Sequence, residues 1–284
     1  MPNQDITGNF AGQLNGRKTI FIASPAYKSL YASAYVESFF ALTKEAQKRG
    51  IGLEFAHVDT ADIVLSRNYL VSRFYFECPT ASHLLFLDSD MGFPPSLIMK
   101  MLDLDSNVAG VIYPKRTINL EKLHSKAGVP FRKAYAESCE FVGLLEVWTK
   151  KFEIELVGGD KETKVVQNNV RKQKAPFIKV KRVGTGVLLI KREAITKMIA
   201  NCPEISKLNK PRGSKGGMFD RLSNYITPFN KVVVDGHELS EDYSFCHRWT
   251  EQCGGTIMAS TSSPIKHVGE LTIETKFSDT WDAE

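Results

Sequence analysis

Two aspartates, Asp88 and Asp90, stand one residue apart directly after the apolar run His83-Leu84-Leu85-Phe86-Leu87. At strand spacing, side chains two positions apart project to the same side. Two carboxylates so placed beyond an apolar strand are costly to bury unpaired. A hard divalent cation, Mg²⁺ or Mn²⁺, resolves that conflict, because it prefers oxygen ligands and shares them readily with phosphates. The plainer alternative is a solvated turn with an aspartate capping the helix beyond Met91-Gly92-Phe93. A second acidic pair, Glu241-Asp242, opens a helical stretch, where the helix dipole favours ionised carboxylates. His267 follows a short strand between Pro264 and Gly269, and its neutral imidazole is suited to be a third metal ligand.

These residues need a scaffold that brings them together. Thr19 to Ala23 is a short apolar run that predicts a buried strand, ended by the turn signal Ser24-Pro25-Ala26-Tyr27. Residues 31–49 carry apolar groups at helical spacing and stop at Gly50. Leu53 to Val58 predicts a second strand, 61–77 a second helix and His83 to Leu87 a third strand. This alternation belongs to a parallel sheet with right-handed crossovers, whose ligands sit beyond the carboxyl ends of the strands. The third strand runs straight into Asp88. Pro94-Pro95 opens a helix to about Leu104, and Val108 to Tyr113 predicts a strand closed by Pro114-Lys115-Arg116.

The rhythm is lost over 117–176, which reads as an insertion or a set of antiparallel additions. Beyond it, Phe177–Val183 and Val187–Ile190 predict strands around Gly184-Thr185-Gly186, followed by a helix from Arg192 to about Ala200. Val232–Val234 predicts a short strand, Ser240 caps a helix reaching about Cys253, and Thr256–Ala259 is the last strand.

Composition removes several classes. With 43% hydrophobic and 24% charged residues the chain has the make-up of a globular protein with a core, not of a coiled coil or a disordered segment. The net charge of +5 is compatible with an anionic partner such as a nucleotide. The five cysteines form no C-x-x-C pair, so neither a zinc knuckle nor a disulfide scaffold is expected, and a reducing, cytoplasmic location fits. Residues 1–17 read as a flexible polar leader without the apolar stretch of a signal peptide. No run approaches the length needed to span a bilayer.

The ordered set of segments resembles a GT-A-fold glycosyltransferase, of the family 2-like and Anp1/Mnn9-like kinds. It comprises Ser66-Arg67-Asn68, Leu84 to Phe93 (LLFLDSDMGF), Gly110 to Lys115 (GVIYPK), Gly184 to Arg192 (GTGVLLIKR), Ser240 to Arg248 (SEDYSFCHR) and Lys266 to Gly269 (KHVG). The resemblance covers roughly residues 19–270, and its specificity lies in the order of the set. It implies an α/β, GT-A-like (Rossmann-like) fold with a mixed, mostly parallel central sheet flanked by helices and an antiparallel insertion. Residues 18–284 would form one catalytic domain: 18–116 a nucleotide-sugar-binding half, 117–176 the insertion, 177–284 the acceptor and catalytic half. The implied activity is transfer of a sugar from a nucleotide-sugar donor, with UDP favoured, to an acceptor hydroxyl, assisted by Mn²⁺ or Mg²⁺.

By the same resemblance Asp88, Asp90 and His267 would hold the metal, with Asp88 and Ser89 also against the donor. Pro25, Ala26 and Tyr27 would line the base pocket, and Arg67 and Asn68 would lie near the donor. Gly184 to Gly186 would let the backbone approach the sugar or acceptor. Asp242 would be the general base, with Glu241 beside it; in a retaining enzyme Asp242 would instead orient the acceptor or stabilise charge on the sugar ring. The acceptor is open among a glycan, a lipid, a protein and a modified DNA base. Two other classes remain: a nucleotidyltransferase, disfavoured because Ser24-Pro25-Ala26-Tyr27-Lys28 lacks the Gly-rich basic loop it needs, and a non-catalytic nucleotide-sugar or nucleic-acid binding module. The Lys/Gly-rich loop 210–217 and the basic tract 161–181 read as solvated surface, with phosphate or nucleic-acid contact as the functional alternative.

Overall fold

The computed structural model describes residues 18–142, 154–155, 164–165, 177–207, 211, 217–269 and 273–276. Its centre is a seven-stranded sheet. The strands are β1 (Thr19–Pro25), β2 (Gly52–Val58), β3 (His83–Leu87), β4 (Val108–Val111), β5 (Phe177–Val180), β6 (Val187–Lys191) and β7 (Ile257–Ser260). Their spatial order is β5-β7-β4-β6-β3-β1-β2. Strand β1 pairs in parallel with β2 and β3, and β4 in parallel with β7. Only β6, between β3 and β4, and the edge strand β5 run the other way. This is the mixed, mostly parallel α/β arrangement expected from the sequence.

The apolar runs are continuous because both faces of the sheet are covered. On one face Phe21, Leu84, Phe86, Leu188 and Ile190 pack with Leu70, Phe74, Phe245 and Trp249. On the other, Ile20, Ile22, Leu85, Leu87 and Leu189 pack with Leu42, Ile98 and Leu102. The covering helices are α1 (Ser33–Lys48), α2 (Ile63–Ser72), α3 (Pro95–Leu104), α4 (Arg192–Asn201) and α5 (Glu241–His247). Helices α2 and α5 each continue as a wider turn, Arg73–Glu77 and Arg248–Gln252. These extensions account for the longer helices read from periodicity.

The end of the α2 extension is sealed by a buried charge. Arg192, the first residue of α4, donates to the carbonyls of Phe74, Tyr75, Cys78 and Ala81 at 2.9, 2.9, 2.6 and 2.8 Å. Its guanidinium also lies 4.3 Å from the centre of the Phe74 ring. One planar five-donor group thus satisfies carbonyls that a helix end leaves open.

Three sequence expectations change. Pro114-Lys115-Arg116 does not close a strand; Pro114–Ile118 is a new strand paired antiparallel with Cys139–Phe141, and it crosses the expected 116/117 boundary. Between those strands lie helices Leu120–His124 and Phe131–Ser138, which the sequence reading missed. Short amphipathic segments with little apolar content give a weak periodic signal. The antiparallel additions are present, there and between Ile154–Glu155 and Lys164–Val165. Ser240 occupies the cap position of α5, but its side chain makes no capping bond; its hydroxyl donates to Asp242 Oδ1 instead. The expected leader, residues 1–17, and most of the 161–181 tract and the 210–217 loop lie outside the described residues. Among the described residues no helix is long and apolar enough to cross a membrane.

Candidate active site

The carboxyl end of β3 and the N-terminus of α5 meet around one buried guanidinium. Arg67, on α2, has only 4% of its side chain exposed. It donates to Asp88 Oδ2 at 3.2 Å and to Glu241 Oε1 at 3.4 Å. It also lies 5.5 Å from the centre of the Phe86 ring. Burial alone would weaken its hold on its proton, but the charges of Asp88 and Glu241 outweigh burial and leave its pKa raised. A charge this deep is tolerable only when it is paired. The pairing links positions 67, 88 and 241, which are far apart in the chain.

Asp88 and Asp90 do not sit at strand spacing. Strand β3 stops at Leu87, and the backbone turns, with Met91 N–H bonded to the Asp88 carbonyl at 3.0 Å. The two carboxylates therefore face different partners. Asp88 turns inward to Arg67, and its Oδ1 is buried without a hydrogen-bond partner. Asp90 turns to Arg116, 3.2 Å away, and to His267 Nε2, 3.5 Å away, both measured from its Oδ2. Ser89 contributes its carbonyl, which accepts from Ala32 N–H at 2.9 Å and ties the turn to the loop after β1.

His267 reaches Asp90 through a small sheet. Met91–Gly92 pairs with Ile265–His267 so that Met91 stands opposite His267. The imidazole Nδ1 lies 2.8 Å from the Pro114 carbonyl. A carbonyl can only accept, so Nδ1 carries the hydrogen, and in a neutral imidazole Nε2 would present its lone pair toward Asp90. Two electron-rich atoms then face each other, an arrangement that a shared cation or proton stabilises. A backbone bond on the far ring nitrogen is also the usual way a metal-binding histidine is oriented.

Asp242 lies beside Glu241 at the start of α5. Its Oδ1 accepts from the Ser240 hydroxyl and, at 2.8 Å, from the Tyr243 N–H. Burial pushes its pKa above the ordinary aspartate value. The Ser240 bond opposes that rise, the neighbouring Glu241 charge adds to it, and Arg67 and the Tyr243 amide oppose it. A carboxylate held by one oxygen and made more basic by its surroundings has the character of a proton acceptor.

The remaining expected residues are placed as follows. Pro25 and Ala26 are buried at the end of β1, with Ala26 N–H bonded to Val58, whereas Tyr27 is 56% exposed. Asn68 is buried and spends its amide on Asn230 Oδ1 and the Phe229 N–H, which pins the loop before the 233–238 hairpin. Gly186 uses both peptide groups inside the fold: its N–H donates to the Tyr113 hydroxyl at 3.2 Å and its carbonyl accepts from Asp88 N–H at 3.0 Å. A Cβ on Gly184 would meet the Tyr113 hydroxyl at 2.3 Å. The two glycines thus make room for Tyr113.

Tyr113 and Arg116 were not legible as site residues. Tyr113 is buried and stands edge-on to His267 with ring centres 5.5 Å apart. Both residues flank the Pro114 that orients His267, and the GVIYPK segment was the one available signal. Among the described residues no cluster of three His, Cys, Asp or Glu side chains is arranged to hold a metal ion. Arg67 Nη1, Asp88 Oδ1 and Thr185 Oγ1 are buried without partners, and all belong to segments that build the site. Unpaired buried polar atoms on residues in contact, as on Arg67 and Asp88, call for a ligand or solvent to complete them.

No family model matches this chain, and no curated protein matches it significantly. Among solved structures, A197 from STIV aligns over 92% of this chain and 91% of its own, with 13% identity and a TM-score of 0.42. A glycosyltransferase involved in the glycosylation of the major capsid of PBCV-1 aligns over 63% of this chain, with 10% identity and a TM-score of 0.29. This chain spans 62% of that protein's length. The functional reading accordingly rests on the side-chain geometry.

Proposed function

We propose that this protein is a divalent-metal-dependent glycosyltransferase that moves a sugar from a nucleotide-sugar, with UDP the favoured nucleotide, to an acceptor hydroxyl. The observation that carries the reading is the convergence of Asp88, Glu241 and Asp242 on Arg67, with Asp90 and His267 paired across the turn that follows Asp88, at the carboxyl end of a strand in a mostly parallel sheet. That is where ligands of such sheets bind.

A divalent cation has one pair of facing donors here and, among the described residues, no preformed group of three. The orphaned Asp88 Oδ1 is a buried acceptor in want of a positive partner, and the Nε2 of His267 and the Oδ2 of Asp90 face one another at 3.5 Å. One carboxylate oxygen and one imidazole nitrogen would suit Mn²⁺ or Mg²⁺ if phosphate oxygens and water completed the coordination. Bound there, the ion would neutralise charge developing on a diphosphate leaving group.

The protein's own residues do the rest. Arg67 holds Asp88 and Glu241 in fixed positions, so the site reorganises little when charge develops. Asp242, gripped through Oδ1, would offer Oδ2 to the acceptor hydroxyl and take its proton as the hydroxyl oxygen bonds to the anomeric carbon and the carbon's bond to the diphosphate oxygen breaks, the nucleoside diphosphate leaving with that electron pair. The exposed Tyr27 and the loop after β1, tied to Ser89 through Ala32, would meet the nucleotide base. The acceptor is a hydroxyl of a glycan, lipid, protein or modified base.

The test is a binding and hydrolysis screen of UDP-, GDP-, TDP- and CMP-sugars, each with Mn²⁺ and with EDTA. Metal-dependent binding or slow hydrolysis of one donor is the expected result. Folded protein that binds none of them under either condition would overturn the reading.

A further inference from the structure

Arg116 belongs to no expected part of the site, yet it takes the position a cation would take. Its Nη1 lies 3.2 Å from Asp90 Oδ2, the same oxygen that His267 Nε2 approaches at 3.5 Å. A divalent ion bridging Asp90 and His267 and the guanidinium of Arg116 would therefore compete for one oxygen atom. The arrangement is built, not incidental. Arg116 sits on the strand Pro114–Ile118, two residues from the carbonyl that orients His267. Its aliphatic stem lies over Gly269, where an added Cβ would meet the Arg116 Cδ at 3.0 Å and Cβ at 3.1 Å. The glycine that ends the KHVG segment thus leaves the channel for this side chain. The Arg116 side chain is also 57% exposed, so it can leave Asp90 without vacating a packed core.

We propose that Arg116 is an exchangeable counter-ion. It neutralises Asp90 in the empty protein, yields that oxygen to the divalent cation, and then anchors the diphosphate of the incoming donor. The physical basis of the second half is the planar guanidinium fork, which matches phosphate oxygens and remains beside the ion it has made way for. The proposal rests on the reading of Asp90 and His267 as a cation site that receives a nucleoside diphosphate.

The experiment titrates Mn²⁺ alone into the wild-type protein and into Arg116→Gln, Arg116→Lys and Asp90→Ala, followed by electron paramagnetic resonance. Each protein saturated with Mn²⁺ is then titrated with whichever of UDP, GDP, ADP and CDP the wild type binds most tightly. Arg116→Gln should bind Mn²⁺ alone about threefold to fivefold more tightly, the scale of a half-exposed ion pair. The same variant should bind the nucleotide about tenfold more weakly, the scale of a lost charged hydrogen bond. Arg116→Lys, which keeps the charge and loses the fork, should restore the Mn²⁺ affinity but not the nucleotide affinity. A merely structural role would not move the two affinities in opposite directions. Unchanged or weaker Mn²⁺ binding in Arg116→Gln, with Mn²⁺ lost in Asp90→Ala, would overturn the exchange and leave the cation site standing. Tighter Mn²⁺ binding with unchanged nucleotide affinity would overturn the anchoring. Wild-type Mn²⁺ affinity in Asp90→Ala, or no nucleotide bound by any of these proteins, would remove the underlying site and the proposal with it.

Discussion

Arg67 donates to Asp88 Oδ2 across 3.2 Å, and it does so with almost no exposed surface of its own. The relationship joins the helix after β2 to the turn after β3. With Glu241 on its other nitrogen, Arg67 is the point where the two acidic segments are set against each other.

Removing that charge should therefore cost more than a surface ion pair. Arg67→Met leaves two carboxylates facing each other without compensation. Because Asp88 and Glu241 keep 27% and 17% of their side chains exposed, water takes up part of the loss. We expect a destabilisation of about 2–3 kcal/mol, at or just below the range for breaking a buried pair, measured by urea unfolding at neutral pH. A loss under about 0.5 kcal/mol, the scale of an ordinary surface substitution, would contradict the central role given to this residue.

Asp242→Asn should separate binding from turnover. The asparagine Oδ1 can still accept from Ser240 and Tyr243, so donor affinity by calorimetry should stay near wild type while transfer is lost. In the wild type, the burial that raises the Asp242 pKa gives kcat/KM an acid limb. Activity requires the ionised form, so it falls as pH drops, with a midpoint above that of an exposed aspartate. The sign for stability is opposite. A raised carboxylate favours its protonated form in the fold, so ionising Asp242 costs stability above its folded pKa. Asp242→Asn should then be at least as stable as wild type at neutral pH, an advantage that disappears in acid.

His83 supplies a second pH dependence, at the opposite end of β3. Burial first, then the charges of Lys18 and Lys191, lower its pKa to about 4. Between pH 6.5, the ordinary value, and about 4 the unfolded chain binds a proton that the fold refuses. Stability is thus full above that window and declines as pH falls through it, by about 3 kcal/mol at its lower end. Unfolding midpoints of wild type and His83→Gln should converge in slope above the window and differ within it. Parallel profiles throughout would refute the assignment.

Gly184→Ala should damage the site through packing. The new Cβ would meet the Tyr113 hydroxyl at 2.3 Å and Val142 Cγ1 at 2.6 Å, so Tyr113 must move and the Gly186 bond must break. We expect a loss of about 2–3 kcal/mol, typical of overpacking. Adding Tyr113→Phe should recover part of it, because the closest clashing atom is then gone. A double-mutant cycle with no coupling would show that the two positions do not share this space.

The sequence by itself determined most of the sheet and which residue types stand at the end of β3. Short continuous apolar runs such as His83 to Leu87, bounded by turn residues, read as strands covered on both faces, and β3 delivers Asp88 to its carboxyl end. Glu241-Asp242 at a helix start was equally legible, a local signal, whereas His267 lies within a strand, Ile265–His267, beyond the Thr256–Ala259 run read as the last one. What each carboxylate faces was decided only by the tertiary structure. The turn at 88–91 sends Asp88 and Asp90 to different partners, and those partners, Arg67 and Arg116, come from segments whose sequences carry no mark of the pairing. The same holds for Tyr113 and Gly184. The space between them exists only once β4 and β6 lie side by side, and that long-range contact has no local signature in the chain.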